Sequence, residues 1–197
     1  MATYASIKYD MDLSSNATGA GALTLLSTQT ASSSATISFT SNIDSTYKEY
    51  IFKFIDVHPA TDQADLQVNF RDGGSSYDAT KTSTNVQAYH GEGDEGGVVA
   101  YDDGRDLAQS TAVLNIARMI GNGNDESGYG TLHLYDPSNT TFVKHFILDT
   151  QCYNEGDYSV RRLIAGYCNT TSAIDGVQFS FSSGNIDAGT FKLYGVS

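Results

Sequence analysis

Residues 158–197 read YSVRRLIAGYCNTTSAIDGVQFSFSSGNIDAGTFKLYGVS, and their patterning decides the fold. Val177, Phe179 and Phe181 alternate with Gln178, Ser180 and Ser182, the period-two signature of a strand with one buried face. In the break SSGNIDAG that follows, Gly184 and Gly189 can take the positive φ of a tight connection, and Asn185 and Asp187 can bond their own backbone. Phe191 and Leu193 then alternate with Thr190 and Lys192 in a last strand expected to run almost to Ser197. With Tyr158–Asn169 ahead of them, the stretch predicts three strands.

Moving toward the N-terminus, the turn Asn154–Asp157 predicts a hairpin that sets Cys152 opposite Ser159 and Cys168 near Val143. The order Asp136-Pro137-Ser138-Asn139 suits a type I turn, with Thr140–Tyr153 returning as hairpin partner to the strand of Leu132 and Leu134. In that register His133 faces Phe142 and His145 faces Gly130. Val113–Ile120 reads as a strand, because β-branched residues outweigh the competing helix over 107–119. Residues 75–109, with HGEGDEGGVVAYDDGRD at 90–106, lose periodicity and predict a long Gly- and Asp-rich insertion suited to partner contacts.

Leu66, Val68 and Phe70 give another clean alternation, and Glu49–His58 is apolar in both phases, as a central strand covered on both sides would be. Pro59 is expected to stop it. Leu23 with Leu25, and Ile37 with Phe39, mark two more strands. Residues 1–22 are small and polar and predict an extended N-terminal arm, leaving 23–197 as one domain. The sum is all-β: a two-layer antiparallel sandwich of about nine or ten strands, best matched by a jelly roll.

At 197 residues the chain can bury one sizeable core. Its 40% hydrophobic and 17% charged residues, with Ser, Thr, Asn and Gly making up the polar balance, fit an all-β chain rich in turns. A formal charge of −12 repels phosphate backbones, which argues against nucleic-acid binding. No apolar stretch is long enough to span a membrane, and MATYASIKYDMDLSS lacks a secretory pattern, so synthesis in a cytoplasm, a host's if the chain is viral, is expected. Two cysteines at separate hairpin positions are expected to stay reduced. Without a secretory pattern the Asn-x-Thr triplets at Asn16, Asn139 and Asn169 read as chance matches in an Asn- and Thr-rich chain.

Chemistry is sparse. The four histidines show no metal-ligand spacing, and Gly-x-Ser-x-Gly is absent, so neither a metal, a cofactor nor an enzyme is expected. Glu92, Asp94, Glu95, Asp102, Asp103 and Asp106 could converge on calcium, but without a calcium-loop motif a solvated acidic loop is the preferred reading. Tyr77, Tyr89, Tyr101 and Tyr129 lie in or beside loops, where aromatic rings either meet a glycan or protein partner or fold back as anchors.

The run GYCNTTSAIDGVQFSFSSGNIDAGTFKLYGVS, residues 166–197, resembles the C-terminal signature of small virion structural proteins from marine and cyanobacterial tailed phages. SATISFTSNIDSTYKEYIFKFIDVHPATD (34–62), DLAQST (106–111) and GNGNDESGYGTLHLYDPSNTTFVKHF (121–146) resemble other recurrent stretches of that family. The resemblance implies a non-enzymatic virion component. A capsid decoration or cement protein, a homo-oligomer with a trimer as first guess and bound to the major capsid protein, is the leading expectation. A tail or tail-fibre module that binds carbohydrate is the alternative.

Overall fold

The structure is a computed structural model that describes residues 22–197. The arm expected over 1–22 therefore lies, Ala22 apart, outside the described residues. In chain order the strands are β1 (Leu23–Ser34), β2 (Ile37–Phe39), β3 (Glu49–Pro59), β4 (Ala64–Arg71), β5 (Lys81–Gly91), β6 (Val98–Tyr101), β7 (Leu107–Ser110), β8 (Leu114–Ile120), β9 (Gly128–Tyr135), β10 (Lys144–Asn154), β11 (Tyr158–Cys168), β12 (Gly176–Phe181) and β13 (Ile186–Val196). The 158–197 stretch thus gives β11, β12 and β13. Thirteen strands exceed the nine or ten expected, and the surplus comes from the supposed irregular insertion, which holds β5, β6 and β7. The inward positions of β5 include Lys81, Ser83 and Asn85, which are polar yet buried. A strand with a polar buried face has no hydrophobic alternation to read.

Eight strands form the core, in two facing sheets of order β1-β13-β3-β9 and β2-β12-β4-β8. Successive core strands switch sheets, apart from the step from β4 to β8 within the second one, and this is the jelly-roll winding. Two hairpin-like excursions widen the first sheet: β10 pairs β9, β11 pairs β10, β5 pairs β11, and β6 and β7 share the far edge of β5. The sheets meet at the single rung Asn154↔Ile120, and Gln29 Nε2 donates to Ser38 O at 2.9 Å on the opposite side. The sandwich is therefore nearly a closed barrel.

Between the layers Phe179 of β12 meets Phe52, Phe54 and Phe191 at centroid distances of 6.2, 5.6 and 5.2 Å. Phe70 of β4 stacks on Phe146 of β10 at 5.1 Å. All are buried, and Phe70, Phe179 and Phe191 are among the residues whose alternation sets the strand phases in the sequence.

Two registers differ from expectation. The β10–β11 hairpin closes with Asn154↔Tyr158, so Cys152 faces Val160 and Cys168 faces Lys144, one position from the predicted pairing. The loop has three residues, not two, because Asp157 takes a left-handed φ of 62° while Asn154 Oδ1 accepts from Gly156 N and Tyr158 N. In β9–β10 the turn Asp136–Asn139 forms, with Asn139 N donating to Asp136 O at 3.0 Å. Asn139 Oδ1 then accepts from Thr141 N and Phe142 N, turning the chain again, so β10 starts only at Lys144. His133 consequently faces Ile147 instead of Phe142, and Gly130 faces Thr150 instead of His145.

Candidate functional site

Beyond β10 the inner face of the wide sheet turns polar. Val160, Arg162 and Ile164 of β11 share the inward phase, and their rungs on β5 are Tyr89, Gln87 and Asn85. Arg162 is 1% exposed, and its Nη2 donates to Asp102 Oδ2 at 2.6 Å and Gln87 Oε1 at 3.1 Å. Asp102 lies in the β6–β7 connection, which also carries Arg105 to an ion pair with Asp65 in β4. Asp65 Oδ1 accepts from Met119 N at 2.9 Å in β8. The connection is thus a strap from the β5 edge to the smaller sheet, anchored at both ends by charge.

Beside it lies a cavity of about 250 Å³ lined by Gln87, Tyr89, Arg118, Asn154, Tyr158 and Val160. Tyr89 and Tyr158 meet edge to face at 5.8 Å. Gly96, at φ +70, packs against both rings, where a Cβ would lie 3.1 Å from Tyr158 Cε1 and 3.6 Å from Tyr89 Cε2. Arg118 is the guanidinium in that lining; its Nε, and Nε and Nη1 of the nearly unexposed Arg162, which does not line the cavity, are buried without a hydrogen-bond partner among the described residues. Burial pushes the Arg162 pKa down against the Asp102 hydrogen bond, and Arg105 and Arg118 push it the same way as burial.

A second buried polar row crosses the same strands at their far end, where Cys168 of β11 lies between Lys144 of β10 and Lys81 of β5. Lys81 Nζ donates to Ala79 O at 3.0 Å, and Lys144 Nζ to Phe142 O and Thr170 O at 3.1 and 3.0 Å. Burial lowers both ammonium pKa values, that of Lys81 to about 8. Cys152 and Cys168 are free and buried, at opposite ends of the β10–β11 hairpin.

The outer face of β10, β11, β5 and β6 is apolar. Ile147 and Leu163 are 48% and 47% exposed, and the rungs Leu163↔Val86↔Tyr101 and Ala88↔Val99 extend the strip to Val99, 79% exposed. Alongside lies an open groove of about 470 Å³ between Tyr135, His145, Ile147, Ala165 and Tyr167.

The four tyrosines form no common platform. Tyr77 packs beneath Arg71, 5.8 Å from the guanidinium carbon to the ring centre, and its hydroxyl is buried. Tyr101 donates to Asp106 and Tyr129 to Asp56, and those carboxylates raise both phenol pKa values. Only Tyr89 lines the arginine cavity. Of the acidic residues weighed for calcium, Asp102 serves Arg162 and Asp106 serves Tyr101. Among the described residues no three His, Cys, Asp or Glu side chains converge. Arg162 is absent from the expected site, although its signal is present: it occupies the buried phase of VRRLI with Val160 and Ile164. Comparison with family models and with curated proteins gives no match to this chain.

Proposed function

We propose that this chain is a non-enzymatic virion structural protein of a tailed phage, in first place a capsid decoration or cement protein that assembles as a homo-oligomer on the capsid surface. The observation that carries the reading is the exposed apolar strip of Ile147, Leu163, Val86, Tyr101 and Val99 on a rigid sheet. In a chain of charge −12 this strip carries few charges: Arg161 and Asp149 neutralise each other through two hydrogen bonds of 2.9 and 2.7 Å, and at its edge the Asp106 carboxylate accepts from the Tyr101 hydroxyl. Interface cores are depleted of charge in this way and enriched in aromatic residues. The sequence resemblance at 34–62, 106–111, 121–146 and 166–197 supports the virion setting, and the jelly roll is compatible with it, although a fold alone does not assign a role. Binding across neighbouring capsid subunits stabilises the assembled shell by mass action.

The test is the copy number per purified particle, normalised to the major capsid protein. Copies in the hundreds are expected for a lattice-covering protein. A few to a few tens would replace it with the second reading, a tail or tail-fibre module that binds carbohydrate, which the Tyr89–Tyr158 cavity favours. Absence from particles would overturn both.

A further inference from the structure

We propose that the groove on the outer face of β10, β11 and β5 binds a neutral hexopyranose ring, seated over Ala165 and against Tyr167. The inference rests on the carbohydrate-binding reading, the second of the two above, and names a site and a ligand class for it.

Register builds the groove. Ala165 of β11 lies between Ile147 of β10 and Thr84 of β5, and Tyr167, in the same phase, lies between His145 and Thr82. The alternate positions Phe146, Ile164 and Cys168 are buried, so this set points outward. A methyl group at the centre with longer side chains around it leaves a depression, and Tyr135 of β9 adds a further wall. Its volume of about 470 Å³ lies within the range of small-molecule sites, whereas the Tyr89–Tyr158 cavity, at about 250 Å³, falls below it.

Three observations choose the occupant. The first is charge. No Asp, Glu, Lys or Arg lines the groove, in a chain with 23 Asp and Glu against 11 Lys and Arg. Glu49, on the rung of Tyr135, is engaged by His133 Nδ1 at 2.6 Å. Such a seat gives an ion nothing to offset its desolvation, and the net charge repels anions, so the occupant is neutral. The second is surface. Tyr135, His145 and Tyr167 supply three rings with polar tips, and His145 and Tyr167 stand 6.2 Å apart with 58° between their planes. Rings set at an angle offer a face to the apolar side of a sugar and polar tips to its rim.

The third is hydrogen bonding. Gln109 Nε2 donates to Thr82 Oγ1 at 2.7 Å and to the Tyr167 hydroxyl at 3.4 Å, and Gln109 N donates to Thr82 Oγ1 at 3.1 Å. Among the described residues both hydroxyls therefore keep a proton to donate. Thr84 Oγ1 donates to Ala165 O at 3.3 Å and keeps its lone pairs as acceptors. Sugar hydroxyls both donate and accept, and so match this mixed set. A proline-rich peptide, another ligand of aromatic grooves, offers only carbonyl acceptors at its prolines. Gln109 is itself held by Asn169 Nδ2, which donates to its Oε1 at 2.6 Å, so the walls are fixed before a ligand arrives, which favours affinity.

The experiment is NMR titration of the full chain at about 0.01 M salt, where charge repulsion keeps copies apart. The probes are D-glucose, D-galactose, D-mannose and N-acetyl-D-glucosamine, alongside D-glucuronate and a polyproline peptide. Saturable binding of at least one neutral sugar is expected, with Kd on the order of 1–10 mM and at least about tenfold tighter than glucuronate or the peptide. Ala165→Phe fills the groove from an exposed position, and Tyr167→Ala removes a ring. Each is expected to weaken sugar binding about tenfold or more while thermal unfolding stays cooperative. Tyr89→Ala, in the smaller cavity, and Leu163→Glu, outside the groove lining, should leave binding unchanged. Sugar binding that survives Ala165→Phe would overturn this site, and its loss in Tyr89→Ala would then keep the carbohydrate reading at the other cavity. Absence of saturation by every sugar up to about 100 mM would overturn both, and a preference for glucuronate or the peptide would overturn the ligand class.

Discussion

Lys81 shows how a single residue can set the pH response of the fold. Its ammonium is fully buried on β5 with one carbonyl acceptor, and burial lowers its pKa from 10.5 to about 8. Below pH 8 the folded chain carries a desolvated charge, a cost of about 3 kcal/mol by linkage. Between about pH 8 and 10.5 the unfolded chain binds more protons than the folded one, so stability rises with pH through that window. The thiols act in the opposite direction. Burial raises Cys152 to about 11 and Cys168 to about 12 from 9.0, so above pH 9 the folded chain holds the extra protons and stability falls. The urea midpoint is therefore expected to climb from pH 7.5, peak near pH 9 and decline. Lys81→Met should be more stable than the parent at pH 7 by about 1–3 kcal/mol and should show a smaller climb, the remainder coming from Lys144, whose pKa burial also lowers. A lower midpoint for Lys81→Met at pH 7 would mean that the bond to Ala79 O outweighs the desolvation.

At the scale of elements, β11 is sandwiched between β10 and β5, and its Gly166 permits the close approach. A Cβ there would lie 2.5 Å from both Phe146 Cζ and Thr82 O. The Phe146 ring is fully buried and stacked on Phe70, and the Thr82 carbonyl belongs to β5, which the β11 ladder holds in place from Lys81 to Gly91. Gly166→Ala is expected to cost about 1–3 kcal/mol and to lower the midpoint of thermal unfolding. Ala165→Ser, one residue away in the other phase, should leave the midpoint nearly unchanged. Equal midpoints for the two variants would show that the β5–β11 spacing relaxes. The same strands mark the limit of what patterning reveals. β12 and β13 were legible because Phe179 and Phe191 alternate with polar residues, and Phe179 proves to be the ring around which the core aromatics gather. β5 was not legible because its buried side is Lys81, Ser83 and Asn85. The arginine cavity was hidden for the same reason. It joins β5, β8 and the β10–β11 hairpin through residues far apart in the chain, and no local pattern marks Arg118 of β8 as its guanidinium. The hairpin register missed by one residue because a non-glycine, Asp157, took the left-handed position that turns two loop residues into three.

For the whole molecule, the apolar strip and the net charge make opposing demands on self-association. Copies that meet through Ile147, Leu163, Val86 and Val99 remove apolar area from water, yet each brings a formal charge of −12. That repulsion is long-ranged at low ionic strength, where screening extends to about 30 Å at 0.01 M salt, and short-ranged at 1 M, where it falls to about 3 Å. Burial of the strip is far less sensitive to screening, so sodium chloride should promote assembly. Light scattering is expected to give a monomer mass near 0.01 M salt and a shift toward a small closed oligomer, a trimer in the first instance, as salt rises toward 1 M. Leu163→Glu places a carboxylate in the middle of the strip and should hold the chain monomeric throughout, with unchanged thermal unfolding at low salt because the position faces outward. Association that weakens with salt would locate the contact in paired charges elsewhere on the surface. An oligomer untouched by Leu163→Glu would remove this face from the assembly.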